Sequence, residues 1–173
     1  MTDQQTIKEI FERNINTLTH RPARGQLKQT TRARLVDGLR CEIEDGPWKL
    51  CADLPAKIGG GETAPNPSVL GRSALASCLT LGIARWSAKL DVPIEALEVQ
   101  IETNADARGE LGMSEEIRPG YSDVRYTVSI KSSAPKEKLA ALLEAAERFN
   151  PYLDNFGRAL SLTRVHRLNG VED

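Results

Sequence analysis

The chain has 173 residues, of which 40% are hydrophobic and 27% are charged, the balance of a single soluble globular domain. Lysine and arginine total 23 against 24 aspartates and glutamates, so nucleic-acid binding, which favours a clear basic excess, is not expected. The longest uncharged apolar stretch, Ser73–Ala84, has 12 residues, fewer than the roughly 20 that cross a membrane. No secretory signal pattern opens the sequence, so we expect a cytoplasmic protein without a membrane partner.

Residues of the metal-ligating types are few and scattered. Cys41, Cys51 and Cys78 form no CxxC pair, and His20 and His166 lie far apart in the sequence. A zinc site would need carboxylates to complete it, so we expect no bound metal and no cofactor. In a reducing cytosol each cysteine is by default a small buried apolar residue.

The N-terminal segment is predicted to be a short amphipathic helix over residues 4–18. Its apolar residues recur at helical spacing: Ile7, Ile10, Phe11, Ile15 and Leu18. Pro22 and Gly25 then mark a linker. We therefore expect residues 1–25 to form a peripheral helical extension and residues 26–173 to form the domain.

Three short strands are predicted next, over residues 26–35, 39–44 and 48–53, with turns at Asp37-Gly38 and Asp45-Gly46. Cys41 shares a face with Leu39 and Ile43 and is expected in the core. Cys51 falls on the opposite face, so we do not expect a disulfide between these two cysteines. An irregular loop rich in glycine and proline follows over residues 55–67.

The longest element is a helix that begins at the Asn66-Pro67 step and runs to about Leu90. Asparagine is a preferred capping residue, and proline is favoured at the first helical position. The central residues 74–84 are apolar on every side of the helix. A helix of this kind is buried all round in a soluble protein, and one small domain rarely covers it, so we expect a second copy of the chain to cover part of it.

The C-terminal half is predicted to hold two half-buried strands, Leu97–Ile101 and Val124–Ile130, separated by a polar loop over residues 109–120. Ser133 is predicted to open a helix, and Asn150-Pro151 to start a short helix that ends near Arg158. The last strand is expected over Leu160–Leu168. Strands grouped around helices, without strict alternation, predict the α+β class.

One string of residues carries a family resemblance. The chain has a Gly-Gly loop, an Asn66-Pro67 helix start and the sequence Ala74-Leu75-Ala76-Ser77-Cys78 in a helix of small residues. This string, together with the order of elements from Gln26 to Leu168, resembles the OsmC/Ohr family of osmotically induced and organic hydroperoxide resistance proteins. The resemblance implies antiparallel sheets wrapped around a long central helix in an interleaved homodimer, with active sites at the subunit interface.

The resemblance also implies a chemistry and shows where this sequence departs from it. In the catalytic members a helix cysteine, here Cys78, attacks a peroxide, a second cysteine traps the product, and an arginine held by a glutamate stabilises the thiolate. The second cysteine is replaced here by Asn150 and the glutamate by Ser68. Val36 stands at the position of the arginine, and the nearest replacements are Arg34 and Arg40.

Three functions are open. The leading hypothesis is a one-cysteine peroxidase in which Cys78 is the nucleophile, Arg34 or Arg40 stabilises the thiolate, and an external dithiol restores the thiol. The substrate would be an apolar hydroperoxide. The second is a non-enzymatic dimer that binds an apolar ligand in its interface cleft. The third is an anion or nucleic-acid adaptor that uses the six basic residues between Arg21 and Arg40.

Overall fold

The computed structural model describes residues 3–169 and 171–172 and confirms the α+β class. The helices are α1 (Gln4–His20), α2 (Pro67–Lys89), α3 (Ala107–Glu110), α4 (Lys136–Arg148) and α5 (Pro151–Gly157), with 3-10 turns at Pro22–Gly25 and Ala56–Ile58. The strands are β1 (Thr31–Asp37), β2 (Arg40–Asp45), β3 (Trp48–Ala52), β4 (Ala96–Ala105), β5 (Tyr121–Lys131), β6 (Arg167–Leu168) and β7 (Val171–Glu172).

Helix α2 begins as the Asn66-Pro67 step predicts. The Asn66 side chain accepts a hydrogen bond from the backbone N–H of Val69 at 3.0 Å, which satisfies one of the free donors of the first turn. One face of the helix is fully buried at Leu75, Leu79 and Ile83. This face packs against α4 and β4, so α2 is the centre of the core.

The opposite face of α2 is open in the single chain. Leu81 is 64% exposed, whereas the expectation was burial on every side of residues 74–84. By length and apolar composition alone α2 would also qualify as a membrane span, a criterion that core helices of soluble proteins meet as well. Its buried row of three large aliphatic residues against α4 and β4 is the packing of such a core helix.

Two antiparallel sheets flank this core. Strands β4 and β5 form a long ribbon in which Leu97 pairs with Ile130 and Val99 with Val128. These four side chains pack against the core around Ile83. The predicted strands Leu97–Ile101 and Val124–Ile130 are therefore confirmed, and both extend further in the structure.

Strands β1, β2 and β3 form the N-terminal sheet in sequential order, and their register sorts the side chains by polarity. Because neighbours across the strands share a face, one face is apolar except for Thr31 and Asp45 at one end, and it carries Ala33, Leu35, Cys41, Ile43, Trp48, Leu50 and Ala52. The other face is charged and carries Arg34, Arg40, Glu42, Glu44, Lys49 and Cys51. The apolar face is open, since Leu35, Trp48 and Leu50 are 72%, 71% and 53% exposed.

Three predicted boundaries are wrong. The strand expected over Leu160–Leu168 is irregular up to residue 166, and Leu162 is 93% exposed, because no neighbouring strand pairs with its alternating pattern. The first strand begins at Thr31 and not at Gln26, because β2 ends at Asp45, the residue that pairs with Thr31. The helix expected from Ser133 begins at Lys136, since Pro135 occupies its N-cap.

Asn150 ties the C-terminal helices to α2. Its side-chain carbonyl accepts from the backbone N–H groups of Tyr152 and Leu153, both at 3.0 Å, and so caps α5. Its amide group donates to the backbone carbonyl of Cys78 at 3.2 Å. Gly82 permits this approach, because a Cβ atom there would lie 3.3 Å from the amide nitrogen. Both the carbonyl and the amide group of the Asn150 side chain therefore have partners, at 2% exposure.

We expect Asn150→Ala to lower the free energy of unfolding by about 2–3 kcal/mol, because it removes a cap and leaves buried polar groups without partners. The matched control is Asn66→Ala, which removes a more exposed N-cap that also precedes a proline, and it should cost about 1 kcal/mol. Urea unfolding followed by circular dichroism measures both values. Equal losses for the two variants would contradict the bridging role of Asn150.

Candidate functional site

Cys78 lies at the middle of α2 and lines a cavity of about 330 Å³. The other lining side chains are mainly apolar and come from α1, α2, α4 and the start of α5: Phe11, Leu81, Trp86, Ala146, Phe149 and Pro151. The cavity is open on one side, where Leu81 and Phe149 are 64% and 61% exposed. A partly accessible thiol thus faces an apolar space large enough for a small organic molecule.

Aromatic rings build one wall of this cavity, the aromatic row Phe11–Trp86–Phe149. The ring of Trp86 stacks on Phe149 with centroids 5.4 Å apart. The ring of Phe11 contacts Trp86 edge-on, also with centroids 5.4 Å apart. Such offset and edge-on pairs are favourable arrangements of aromatic rings. The row joins residues of α1, α2 and the end of α4, so the wall depends on the packing of three helices.

Arg85 is the cationic residue in the cavity lining, and the sequence analysis missed it. It lies seven residues, or about two helical turns, after Cys78, which places both on one side of α2. Its guanidinium also lies over the Phe11 ring, 5.0 Å from the centroid. The i, i+7 spacing from Cys78 is the signal in the sequence that indicates Arg85.

Within one chain, the two predicted arginines contact other residues. Arg34 is paired with Glu44 at 3.3 Å on the charged face of the N-terminal sheet. Arg40 donates to the thiol sulfur of Cys51 at 3.6 Å, and this contact raises the pKa of the Arg40 guanidinium. The structure thus brings Arg40 together with Cys51, and it brings neither arginine to Cys78 of the same chain.

A glycine-rich loop packs beside Arg40 and is organised by Asp53. This carboxylate, 2% exposed, accepts hydrogen bonds from the backbone of Thr63, Gly61 and Leu54 and from the Thr63 hydroxyl. These bonds, those of Thr63 first, hold the pKa of Asp53 below its ordinary value. Gly60 is required here, because a Cβ atom would lie 1.8 Å from the carbonyl oxygen of Leu54. The loop is therefore a rigid support for the turn end of the sheet.

The three thiols are free and separate. Cys41 pairs across the strands with Ala52 and Cys51 with Glu42, so the two point to opposite faces, as the sequence predicts. At the position beside Cys78 where a second thiol would stand, the residue is Asn150, whose side chain caps α5. Among the residues that the structure describes, no group of three or more His, Cys, Asp or Glu side chains is arranged for a metal ion.

Comparison with known proteins adds a family and a fold. Residues 59–163 match the model of the family described as OsmC-like protein. The chain is also similar to the crystal structure of an organic hydroperoxide resistance protein OsmC from Legionella pneumophila, at 19% identity and a TM-score of 0.54 over 75% of this chain and 89% of that one. An OsmC-like protein from Mycoplasma pneumoniae gives 12% identity and a TM-score of 0.65 over 76% and 89% of the two chains.

A third structure, a protein from Psychrobacter arcticus described as a putative osmotic stress induced and detoxification response protein, gives 17% identity and a TM-score of 0.58 over 75% and 89%. At these identities the structural matches establish the fold alone. No individually curated protein matches the sequence. The family match spans more than half of the chain and includes the Asn-Pro helix start, Cys78 and Asn150, so the chain belongs to the OsmC-like protein family.

Proposed function

We propose that this protein is a one-cysteine peroxidase of the OsmC-like family, in which Cys78 reduces apolar organic hydroperoxides. The observation that carries the proposal is a half-buried Cys78 in the wall of an apolar cavity of about 330 Å³. Proteins of similar structure, such as that from Legionella pneumophila, are described as organic hydroperoxide resistance proteins. The aromatic and aliphatic lining suits an alkyl or aryl group rather than hydrogen peroxide.

The proposed reaction begins with the Cys78 thiolate. Its sulfur attacks the terminal oxygen of the hydroperoxide, so that an S–O bond forms as the O–O bond breaks. The alkoxide leaves, takes up a proton from water at the open side of the cavity and departs as the alcohol. The sulfur is oxidised to a sulfenic acid, and the peroxide is reduced by two electrons.

An external dithiol completes the cycle, since Asn150 replaces the thiol that would otherwise trap the sulfenic acid. One thiol of the reductant displaces water from the sulfur of Cys78 and forms a mixed disulfide. Its second thiol then releases the Cys78 thiolate and leaves as the oxidised disulfide. The proposal places the protein in the cytoplasm, where free cysteines such as these three stay reduced.

The proposal requires a positive charge near Cys78, because the thiolate is the reactive form. Cys78 lies 12 residues after Asn66, and the favourable field of a helix N-terminus fades within the first turn. Arg85, which lines the same cavity, is the candidate from the same chain. Arg34 and Arg40 are the alternatives, and they would have to act on Cys78 of a second subunit.

The proposal includes a homodimer. The chain leaves large apolar side chains open in two places, Leu81 on the outer face of α2 and the cluster around Leu50 on the apolar face of the N-terminal sheet. Clusters of exposed apolar side chains mark interaction sites. An interleaved dimer would bring both under cover and would close the open side of the Cys78 cavity.

A second candidate function is the binding of an apolar ligand without turnover. It is favoured by two observations: Asn150 stands in place of the second thiol, and Arg34 and Arg40 contact Glu44 and Cys51. In this case Cys78 is one wall of a binding cavity, and it stays reduced in the presence of hydroperoxide.

The first prediction separates the two functions. With cumene hydroperoxide and excess dithiothreitol, the wild-type protein should consume peroxide, and Cys78→Ser should fall to the uncatalysed rate because the nucleophile is gone. The matched control, Cys51→Ser, should keep the wild-type rate to within about two-fold. Equal rates for wild type and Cys78→Ser would exclude the peroxidase and leave ligand binding.

A second prediction identifies the arginine that serves Cys78. Alkylation of Cys78 by N-ethylmaleimide is followed by peptide mapping in Arg85→Gln, Arg34→Gln and Arg40→Gln. Near neutral pH, where an ordinary thiol is mostly protonated, Arg85→Gln should slow the reaction several-fold, with the difference fading toward about pH 9. A loss confined to Arg34→Gln or Arg40→Gln would instead assign the charge to the sheet of a partner subunit.

The third prediction concerns assembly. Leu50→Asp places a charge on the apolar face of the N-terminal sheet and should weaken the homodimer by about ten-fold or more in sedimentation experiments. The neighbouring Lys49→Asp changes the charged face of the same strand and serves as the control, with little expected effect. A wild-type chain that sediments as a monomer at micromolar concentration would refute the dimer.

A further inference from the structure

We propose that Phe11 of helix α1 determines the size of the molecule that can reach Cys78, which makes the N-terminal extension a specificity element of the site. The inference rests on the proposed function in one respect, since it takes the hydroperoxide as the molecule admitted. Phe11 lies outside residues 59–163, the part of the chain that matches the family model. It nevertheless contributes one of the side chains that line the Cys78 cavity.

The Phe11 ring is held in position from two sides. Its edge-on contact with Trp86 places it at one end of the aromatic row. Two cations of α2 lie over its face, the Arg85 guanidinium at 5.0 Å and the Lys89 ammonium at 4.9 Å from the centroid. Cation–aromatic contacts of this kind are favourable and directional. The ring is therefore a fixed wall of the cavity, and its volume directly limits the space beside the thiol.

The attachment of α1 does not depend on Phe11 alone. The Gln4 amide donates to the backbone carbonyls of Ser87 and Val92, both at 3.1 Å, and Lys8 forms an ion pair with Asp91. These contacts fix the first half of α1 to the end of α2. A smaller side chain at position 11 should therefore enlarge the cavity while the helix stays in place.

Helix α1 is also a weakly held element. None of its residues is fully buried, whereas α2 and α4 both contribute to the core. Segments with few buried contacts open at a lower free-energy cost than the core does. A substitution at position 11 should therefore alter the cavity wall while the core formed by α2 and α4 stays folded.

The test measures access to Cys78 with thiol reagents of two sizes, N-ethylmaleimide and N-(1-pyrenyl)maleimide, at a pH where thiols react readily. Full-length protein is used, and peptide mapping reports labelling of Cys78 alone. Phe11→Ala should raise the rate ratio of the large to the small reagent by about ten-fold, whereas Phe11→Trp should lower it. Ile15→Ala, on the same helix but outside the cavity lining, is the matched control and should leave the ratio unchanged.

An unchanged ratio in folded Phe11→Ala and Phe11→Trp would overturn the proposal, as would a Cys78 that neither reagent labels in any of these variants. If Phe11→Ala fails to fold, Phe11→Leu replaces it in the same comparison. Because alkylation does not require turnover, a shifted ratio together with absent peroxide consumption would refute the peroxidase and leave the role of Phe11 standing. Normal peroxide consumption with an unchanged ratio would do the reverse.

Discussion

The need to bury the apolar surface of helix α2 shapes the rest of the structure. The 23 residues of α2 include a long apolar stretch, and the helices and strands of the same chain pack against this stretch without covering the face around Leu81, which stays 64% exposed. Helix α4 and strand β4 cover the row from Leu75 to Ile83. The outer face stays open, and so does the apolar face of the N-terminal sheet. Burial of apolar surface is the main favourable term in folding and in protein association. Each of these two open faces is therefore a candidate interaction surface.

The side chain of Asn150 connects two helices beside Cys78. Asparagine caps helices well, so Asn150 starts α5 as the Asn-Pro step requires. Its amide also reaches the Cys78 carbonyl, a bond that a thiol, as a weak donor, would not replace well. The result is a direct connection between α5 and α2 beside Cys78.

Local chemistry explains which parts of the fold the sequence predicts. Both Asn-Pro helix starts, the two Asp-Gly turns and the alternating strands β4 and β5 depend on residues close in sequence, and all are found in the structure. The strand expected over Leu160–Leu168 required a partner strand, which alternation alone does not supply. In the candidate site, the family resemblance in the sequence points to Cys78. The roles of Phe11 and Arg85 could not be predicted, because they arise from the packing of α1 on α2 and from cavity shape.

The aromatic row has a spectroscopic consequence. The chain has two tryptophans, and they lie in opposite environments: Trp48 is 71% exposed on the N-terminal sheet, whereas Trp86 forms part of the cavity wall. The Trp86 indole lies between the rings of Phe11 and Phe149, with the Lys89 ammonium 4.3 Å from its centre. Its emission therefore depends on a nearby charge, on the position of α1 and on whatever occupies the cavity. The protein thus carries its own fluorophore within a few ångströms of the space beside Cys78.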